Sequence, residues 1–437
     1  MPIARKRHKR KTREPIFLSK HLMRKQKVWR GIFWLSLLSV VTLPNLYWAN
    51  RMIYHKQLQI AKPFLSPLPL AKLGDQVIIV SPHPDDETLG CAGLIQWLLE
   101  AGITPFLIVV TNGDNFDASI HLKLHEVQIK PEDRKIYARM RKQETVAAMK
   151  ILGLPESQIE FLGFSERDFA NEYLLEGEEK FVKVLAQKMA KFSPTSVILP
   201  SRYDDHPIHA LTCSLGWSAI FKIHAEGKMK RMPMVLEVLI HCGEFPRPQG
   251  FHPSLSLVPP KWLLLTAYWY QIPLSTEMRQ RKWEALKAYR TQQLPLSWRF
   301  LKSFVRANEI FAEPIFMTTQ SDRKGEPRSI IAGLDITQIS VSLPQGEFLQ
   351  ASESSRQRCV KVQLRGKVDS RFRYGIRIWQ PKGSQLVMGA ELLKSEKTLT
   401  ARLTEGFETP AVLTAFTSYR QHILDVSPLI LPEGVGQ

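Results

Sequence analysis

Apolar positions along the chain change their rhythm twice. From residue 31 to 50 no charged side chain occurs, and Arg51 ends the run. Twenty helical residues span about 30 Å, the hydrocarbon thickness of a bilayer, so this pattern predicts one transmembrane helix over 31–50. From residue 76 onward, short continuous apolar runs alternate with amphipathic stretches. Residues 76–80 and 106–110 read as strands buried on both faces of a parallel sheet. Residues 87–101 have helical spacing and stop at Gly102. Pro131, followed by Glu132 and Asp133, opens a helix that runs to Gly153. Strands are expected at 159–164 and 196–199, with a helix near 176–192 between them. Pro207 starts a further helix, and 235–240 makes another strand. The alternation predicts an α/β fold with a Rossmann-like doubly wound sheet. After about residue 335 the period becomes two, as in Ile339-Ser340-Val341-Ser342-Leu343, so the last segment, 335–437, predicts a small β-sandwich.

Composition refines this picture at two points. The chain has 437 residues, more than one core usually organises, in keeping with several segments. Residues 51–72, with Pro63, Pro67 and Pro69, read as a stalk between the span and the first strand. The formal net charge of +19 suggests nucleic-acid binding until it is located. Residues 1–30 hold 12 Lys and Arg against one acid, Glu14, so more than half of the excess is a basic tail. A basic flank marks the cytoplasmic side of a span. The expectation is therefore a single-pass membrane protein with tail 1–30 in the cytoplasm, everything after residue 51 outside it, and no nucleic-acid partner. A cleaved signal peptide would carry a shorter apolar core and a small-x-small site, for which Tyr47-Trp48-Ala49 is a poor match. Four cysteines without any C-x-x-C pair exclude a disulfide scaffold and an all-cysteine metal centre.

The first predicted strand runs into Ser81-Pro82-His83-Pro84-Asp85-Asp86-Glu87. Open α/β sheets bind ligands at the carboxyl ends of their strands. Three adjacent acids are costly there unless a cation compensates or one keeps its proton. Imidazole and carboxylate without thiolate suit zinc or another divalent first-row metal. The plain alternative is a surface turn, where Asp and Pro are ordinary. A second cluster, Asp204-Asp205-His206-Pro207-Ile208-His209, also follows a predicted strand. With Pro207 as the first helical residue, His206 caps the helix and His209 lies one turn in. His83, Asp86 and His209 would then give two imidazoles and one carboxylate, the open three-ligand set of a catalytic zinc.

These residues resemble the PIG-L/LmbE-like zinc-dependent N-acetylglucosaminyl de-N-acetylases. The resemblance rests on Pro82-His83-Pro84-Asp85-Asp86-Glu87 and extends to Thr111-Asn112-Gly113-Asp114, Arg141-x-x-Glu144, Phe161-Leu162-Gly163, and Lys282 through Tyr289 with Gln292. It covers residues 73–315. It departs at Ile208, where the family usually has an aspartate between the two histidine positions. The resemblance implies a zinc-dependent N-deacetylase acting on an N-acetylglucosamine-type sugar of a glycan or glycolipid. His83, Asp86 and His209 would hold Zn2+. Asp85 would act as general base toward the zinc-activated water, and His206 would act beside it on the oxyanion and leaving amine. Arg141 and Asp114 would bind substrate, and Glu87 would cap its helix or support the metal ligands. Two other readings stay open at this point: an iron facial triad, and a membrane-anchored glycan-binding or assembly protein with a non-catalytic metal site. His241, after a later strand, could reach the same crest but reads first as a histidine satisfied in the fold. Cys91 and Cys213 read as core filler and a near neighbour of the site. The aromatic stretch 262–270 reads as core before it reads as a sugar groove or a surface lying on membrane.

Overall fold

The computed structural model describes residues 48–176, 179–325, 331–342, 358–404, 406–420 and 422–435. The expected tail 1–30, and the expected span 31–50 except for its last three residues, lie outside the described residues. Among the described residues, no helix is long and apolar enough to cross a membrane. Gln57–Gln437 form one compact unit.

Among the described residues, eight strands make the central sheet of that unit: β1 (Leu65–Pro67), β2 (Val77–Ser81), β3 (Phe106–Thr111), β4 (Ile159–Phe164), β5 (Ser196–Pro200), β6 (Met234–Val238), β7 (Ala267–Pro273) and β8 (Asn308–Pro314). Their order is β1-β7-β8-β6-β5-β2-β3-β4. The five strands β4-β3-β2-β5-β6 are parallel. Every residue of β2, β3 and β5 is buried, which explains their unbroken apolar runs. The crossovers are α1 (Asp86–Glu100), α2 (Pro131–Leu152), α3 (Glu179–Phe192) and α4 (Pro207–Ala225). Pro131 at the start of α2 and Gly153 after it, with φ 95°, set its limits as the sequence predicts. Leu94 and Met149 of α1 and α2 pack on one face of the sheet, and Phe181 and Ile208 of α3 and α4 on the other. The chain winds outward from β2 to β4 and then returns to β5. The ends of β2 and β5 therefore flank the switch point, where such sheets bind ligands.

Two features depart from expectation, and a third meets it in part. The segment expected as stalk 51–72 enters the fold: Leu65–Pro67 pairs parallel with β7, Leu65 opposite Trp269, and Leu68 is buried. Prolines suit this place because an edge strand has no second ladder to serve. The sheet is also extended by the antiparallel pair β7 and β8, which the strand–helix rhythm does not announce. In the aromatic stretch, Trp269 is core, whereas Leu265 and Tyr268 are exposed.

The sandwich begins at β9 (Thr319–Ser321), earlier than residue 335. With β10 (Ile336–Ser342), β11 (Cys359–Leu364), β14 (Leu392–Lys394) and β15 (Thr398–Arg402) it forms a five-stranded sheet. The facing sheet holds β12 (Arg373–Gln380), β13 (Gly383–Met388), β16 (Ala411–Tyr419) and β17 (His422–Leu431). Alternation in β11, buried at Val360, Val362 and Leu364, gives each strand one face to the sandwich core. Trp379, Phe416 and Val426 turn outward and share a core with α4.

The helix α5 (Thr276–Ala288) anchors α1 through a fully buried ion pair. Lys282 Nζ donates to Glu309 Oε1 and to the Leu89 carbonyl, each at 2.7 Å, while Glu309 accepts from the Gly93 and Leu94 amides. Lys282→Met would leave the Glu309 carboxylate buried without its cation. It is expected to lower unfolding free energy by about 3–5 kcal/mol in denaturant titration. A loss below about 1 kcal/mol would show that the pair is not needed.

Candidate active site

Backbone geometry at the end of β2 aims the first cluster. Asp85 heads α1 with φ 127°, a conformation that L-residues adopt only under constraint from their surroundings. Ser81 Oγ lies 2.7 Å from the His83 carbonyl and 2.8 Å from Glu87 Oε2, its single proton shared between the two acceptors, and so closes the loop. Glu87 also accepts from Tyr289 OH at 2.6 Å and from the Asp85 amide at 3.2 Å. It is therefore a buried brace for the loop.

The loop after β5 meets this cluster across the switch point. His83 Nδ1 lies 3.1 Å from Asp86 Oδ2 and 3.2 Å from His209 Nε2. His209 Nε2 lies 3.0 Å from Asp86 Oδ2. Three donor atoms thus form a nearly equilateral triangle. Tetrahedral zinc, with bonds of about 2.0–2.1 Å, puts neighbouring donor atoms about 3.3 Å apart, so this chain's residues fit such an ion. Carboxylate and imidazole donors without sulfur fit other first-row divalent ions as well.

Charge balance supports the same reading. Burial opposes protonation of His209, but the carboxylates of Asp204 and Asp86 outweigh it and push its pKa up to about 10. Burial likewise opposes ionisation of Asp86, yet His209 and His83 hold it well below the usual carboxylate range. The site is built to keep positive charge among its acids. Asp85 behaves oppositely: burial pushes its pKa up to about 8 although Arg141 Nη2 lies 3.2 Å from its carboxylate.

The cavity beside the triangle has a volume of about 270 Å³ and is lined by His83, Asp85, Asp86 and His206 among others. Arg141 also lines it, yet is only 4% exposed. Its Nη1 donates to the Gly113 carbonyl at 2.8 Å and its Nη2 to the Pro84 carbonyl. Arg141 therefore clamps Asp85 and its loop, instead of offering a free fork to substrate. Asp114, expected at the substrate, is buried and accepts the Glu166 amide at 2.8 Å; its neighbours Asn115 and Phe116 line the cavity. Ile208 is 4% exposed in the core between α4 and the sheet, so its side chain does not reach the cavity.

Asp204 and Glu166 take places the sequence reading did not give them, and His241 reaches the crest as that reading allowed. Asp204 Oδ2 accepts from His209 Nδ1 at 3.1 Å and from the Ile240 and His241 amides at 3.1 and 2.9 Å. Its Oδ1 accepts the His206 amide at 3.0 Å. Glu166, just after β4, places Oε1 3.7 Å from His83 Nε2. His241, which could reach the same crest but reads first as a histidine satisfied in the fold, lines the cavity, with its ring 5.3 Å from that of His206. The signal available for Glu166 and His241 was position alone: each follows the end of a parallel strand. Cys213 lies behind the site with Sγ 3.7 Å from Glu237, and Cys91 is core.

Residues 78–220 match the family described as PIG-L: GlcNAc-PI de-N-acetylase, and form a PIG-L domain. The chain is 26% identical over 148 residues to the diacetylchitobiose deacetylase of Thermococcus kodakarensis, a stretch that is 33% of this chain and 49% of that protein. The chain thus spans about half the length of the curated relative it matches. Among solved structures, the N,N′-diacetylchitobiose deacetylase from Pyrococcus horikoshii aligns with TM-score 0.39 and 18% identity, over 54% of this chain and 82% of that one. A conserved protein from Thermus thermophilus aligns with TM-score 0.38 and 22% identity, over 55% and 94%.

Proposed function

We propose that this PIG-L domain is a metal-dependent hydrolase that removes the N-acetyl group from an N-acetylglucosamine-type sugar of a glycan or glycolipid. The observation that carries this reading is the triangle of His83 Nδ1, Asp86 Oδ2 and His209 Nε2, with sides of 3.0–3.2 Å, set beside the buried carboxyl of Asp85. The name of the diacetylchitobiose deacetylase relative supports the substrate class. A bound Zn2+, or another first-row divalent ion, supplies Lewis acidity toward water and the acetamide.

The chain's own groups do the rest. Asp85 takes a proton from the attacking water, held in place by Arg141 and by its forced backbone. The water oxygen bonds to the acetamide carbon, and the carbon–nitrogen bond then breaks. The leaving amine takes its proton from His206 or from Asp85, releasing acetate and a free amino sugar. Burial of Asp85, His83 and Asp86 keeps bulk water from screening these charges. The test is acetate release by the purified full chain from N,N′-diacetylchitobiose and longer N-acetylglucosaminyl glycans. Activity should vanish with a chelator and return with zinc. Stoichiometric metal with no acetate from any such glycan would instead favour the binding-protein reading.

We also propose that residues 31–50 anchor the chain, with the amino terminus in the cytoplasm and the hydrolase outside. The absence of charge from 31 to 50 and the basic residues before it support this. A carboxyl-terminal reporter active only in the cytoplasm would reverse it.

A further inference from the structure

We infer that His241 is a catalytic residue of this site, a second imidazole that donates to the acyl oxygen of the bound acetamide beside His206, and that it is not a metal ligand. The inference rests on the deacetylase reading above.

His241 follows β6, the strand next to β5, and lines the cavity with His206. Its main chain is tied to the His206 turn from both sides. Its amide donates to Asp204 Oδ2 at 2.9 Å, and its carbonyl accepts the Asp205 amide at 2.6 Å. The ring lies nearly flat against Phe300, with centroids 4.9 Å apart and planes 13° apart, which limits its rotation. Its centroid is 5.3 Å from that of His206 and 4.9 Å from that of His209. The two cavity histidines therefore share one rigid support.

The completed triangle argues against ligation. The triangle already supplies three donors 3.0–3.2 Å apart. A ring nitrogen of His241 lies within 4.8 Å of donor atoms of Asp86 and His209, as one of His206 does with those of His83 and His209, so both cavity histidines border the triangle. Donors that serve an oxyanion stand about 2.7–3.1 Å from its oxygen, so groups on opposite sides of one oxygen are separated by more than two ligands of one ion. With an open three-ligand set already complete, His241 is left, like His206, to the substrate side of the site. Ile208 faces the core, so no carboxylate at that position accompanies His206, and its neighbour on the cavity side is an imidazole. In the proposed step, the proton stays on His241: it donates a hydrogen bond to the oxygen as negative charge develops there, and no bond to the ring forms or breaks.

The test compares full-length wild type with His241→Ala and His241→Gln. The readouts are acetate release from an N-acetylglucosaminyl oligosaccharide, zinc stoichiometry, zinc Kd by chelator competition, and thermal melting. In His241→Ala, kcat should fall about a hundredfold, KM should change little, and zinc Kd should stay within about twofold. His241→Gln, which keeps a donor, should recover part of the loss and keeps the test valid if the alanine variant folds poorly. Wild-type kcat in His241→Ala would overturn the inference alone. Zinc binding weakened by about tenfold or more would also overturn it, by making His241 a ligand or its support. No acetate from wild type with zinc bound would remove the deacetylase reading and this inference together.

Discussion

Asp85→Asn is expected to lower kcat by about 10²–10⁴-fold, the range that general-base groups contribute, while zinc content stays at the wild-type level. The substitution keeps the shape of the protonated acid, so the head of α1 should retain its forced backbone and Arg141 its bonds to Gly113 and Pro84. Stability of the metal-free protein should move the other way. Burial pushes the Asp85 pKa up to about 8, so the folded protein holds this proton in a range where the unfolded chain has released it. A raised carboxyl pKa contributes no penalty below the unfolded value, near 4. Its cost grows as pH rises toward about 8. Asparagine has no such titration. The metal-free variant should therefore melt higher than wild type at pH 7 and level with it at pH 4. Equal kcat in the two proteins would remove Asp85 as the base. A variant less stable than wild type at pH 7 would show instead that the ionised carboxylate holds Arg141 in place.

Much of this site was legible because apolar runs locate strand ends. The run 76–80 put His83, Asp85 and Asp86 at the crest, and Pro207 fixed the start of α4, hence the one-turn offset of His209. What remained hidden was the side-chain bonding within turns. The sequence shows Asp204 and Asp205 as equals, yet Asp204 supports both histidines while Asp205 faces the Gly243 amide and Arg323. Arg141 illustrates the same limit: its position on α2 predicts proximity to the site, not that carbonyl oxygens already occupy its fork. The edge strand Leu65–Pro67 was hidden because three residues rich in proline neighbours carry no period. The β7–β8 pair was hidden because partners some forty residues apart are chosen by packing, not by local pattern.

His209→Ala is expected to abolish stoichiometric zinc binding, and Asp204→Ala to weaken it by about 10–100-fold, the usual cost of losing a carboxylate behind a metal-binding imidazole. His209 Nε2 can face the triangle with a lone pair only if Nδ1 carries the proton, and the Asp204 oxygen 3.1 Å away favours that tautomer. The same carboxylate holds the His206 and His241 main chain, so Asp204→Ala should also lower kcat of the zinc-loaded fraction, a loss that added metal will not restore. The pH dependence follows from His209, whose pKa is pushed up to about 10 without a cation. Zinc must displace that proton. Affinity should therefore rise with pH by about tenfold per unit while one proton is released, and fall as pH drops toward 6. Chelator competition at several pH values measures the slope. An affinity independent of pH between 6 and 9 would mean that His209 does not bind the ion, and the three-residue centre would have to be abandoned.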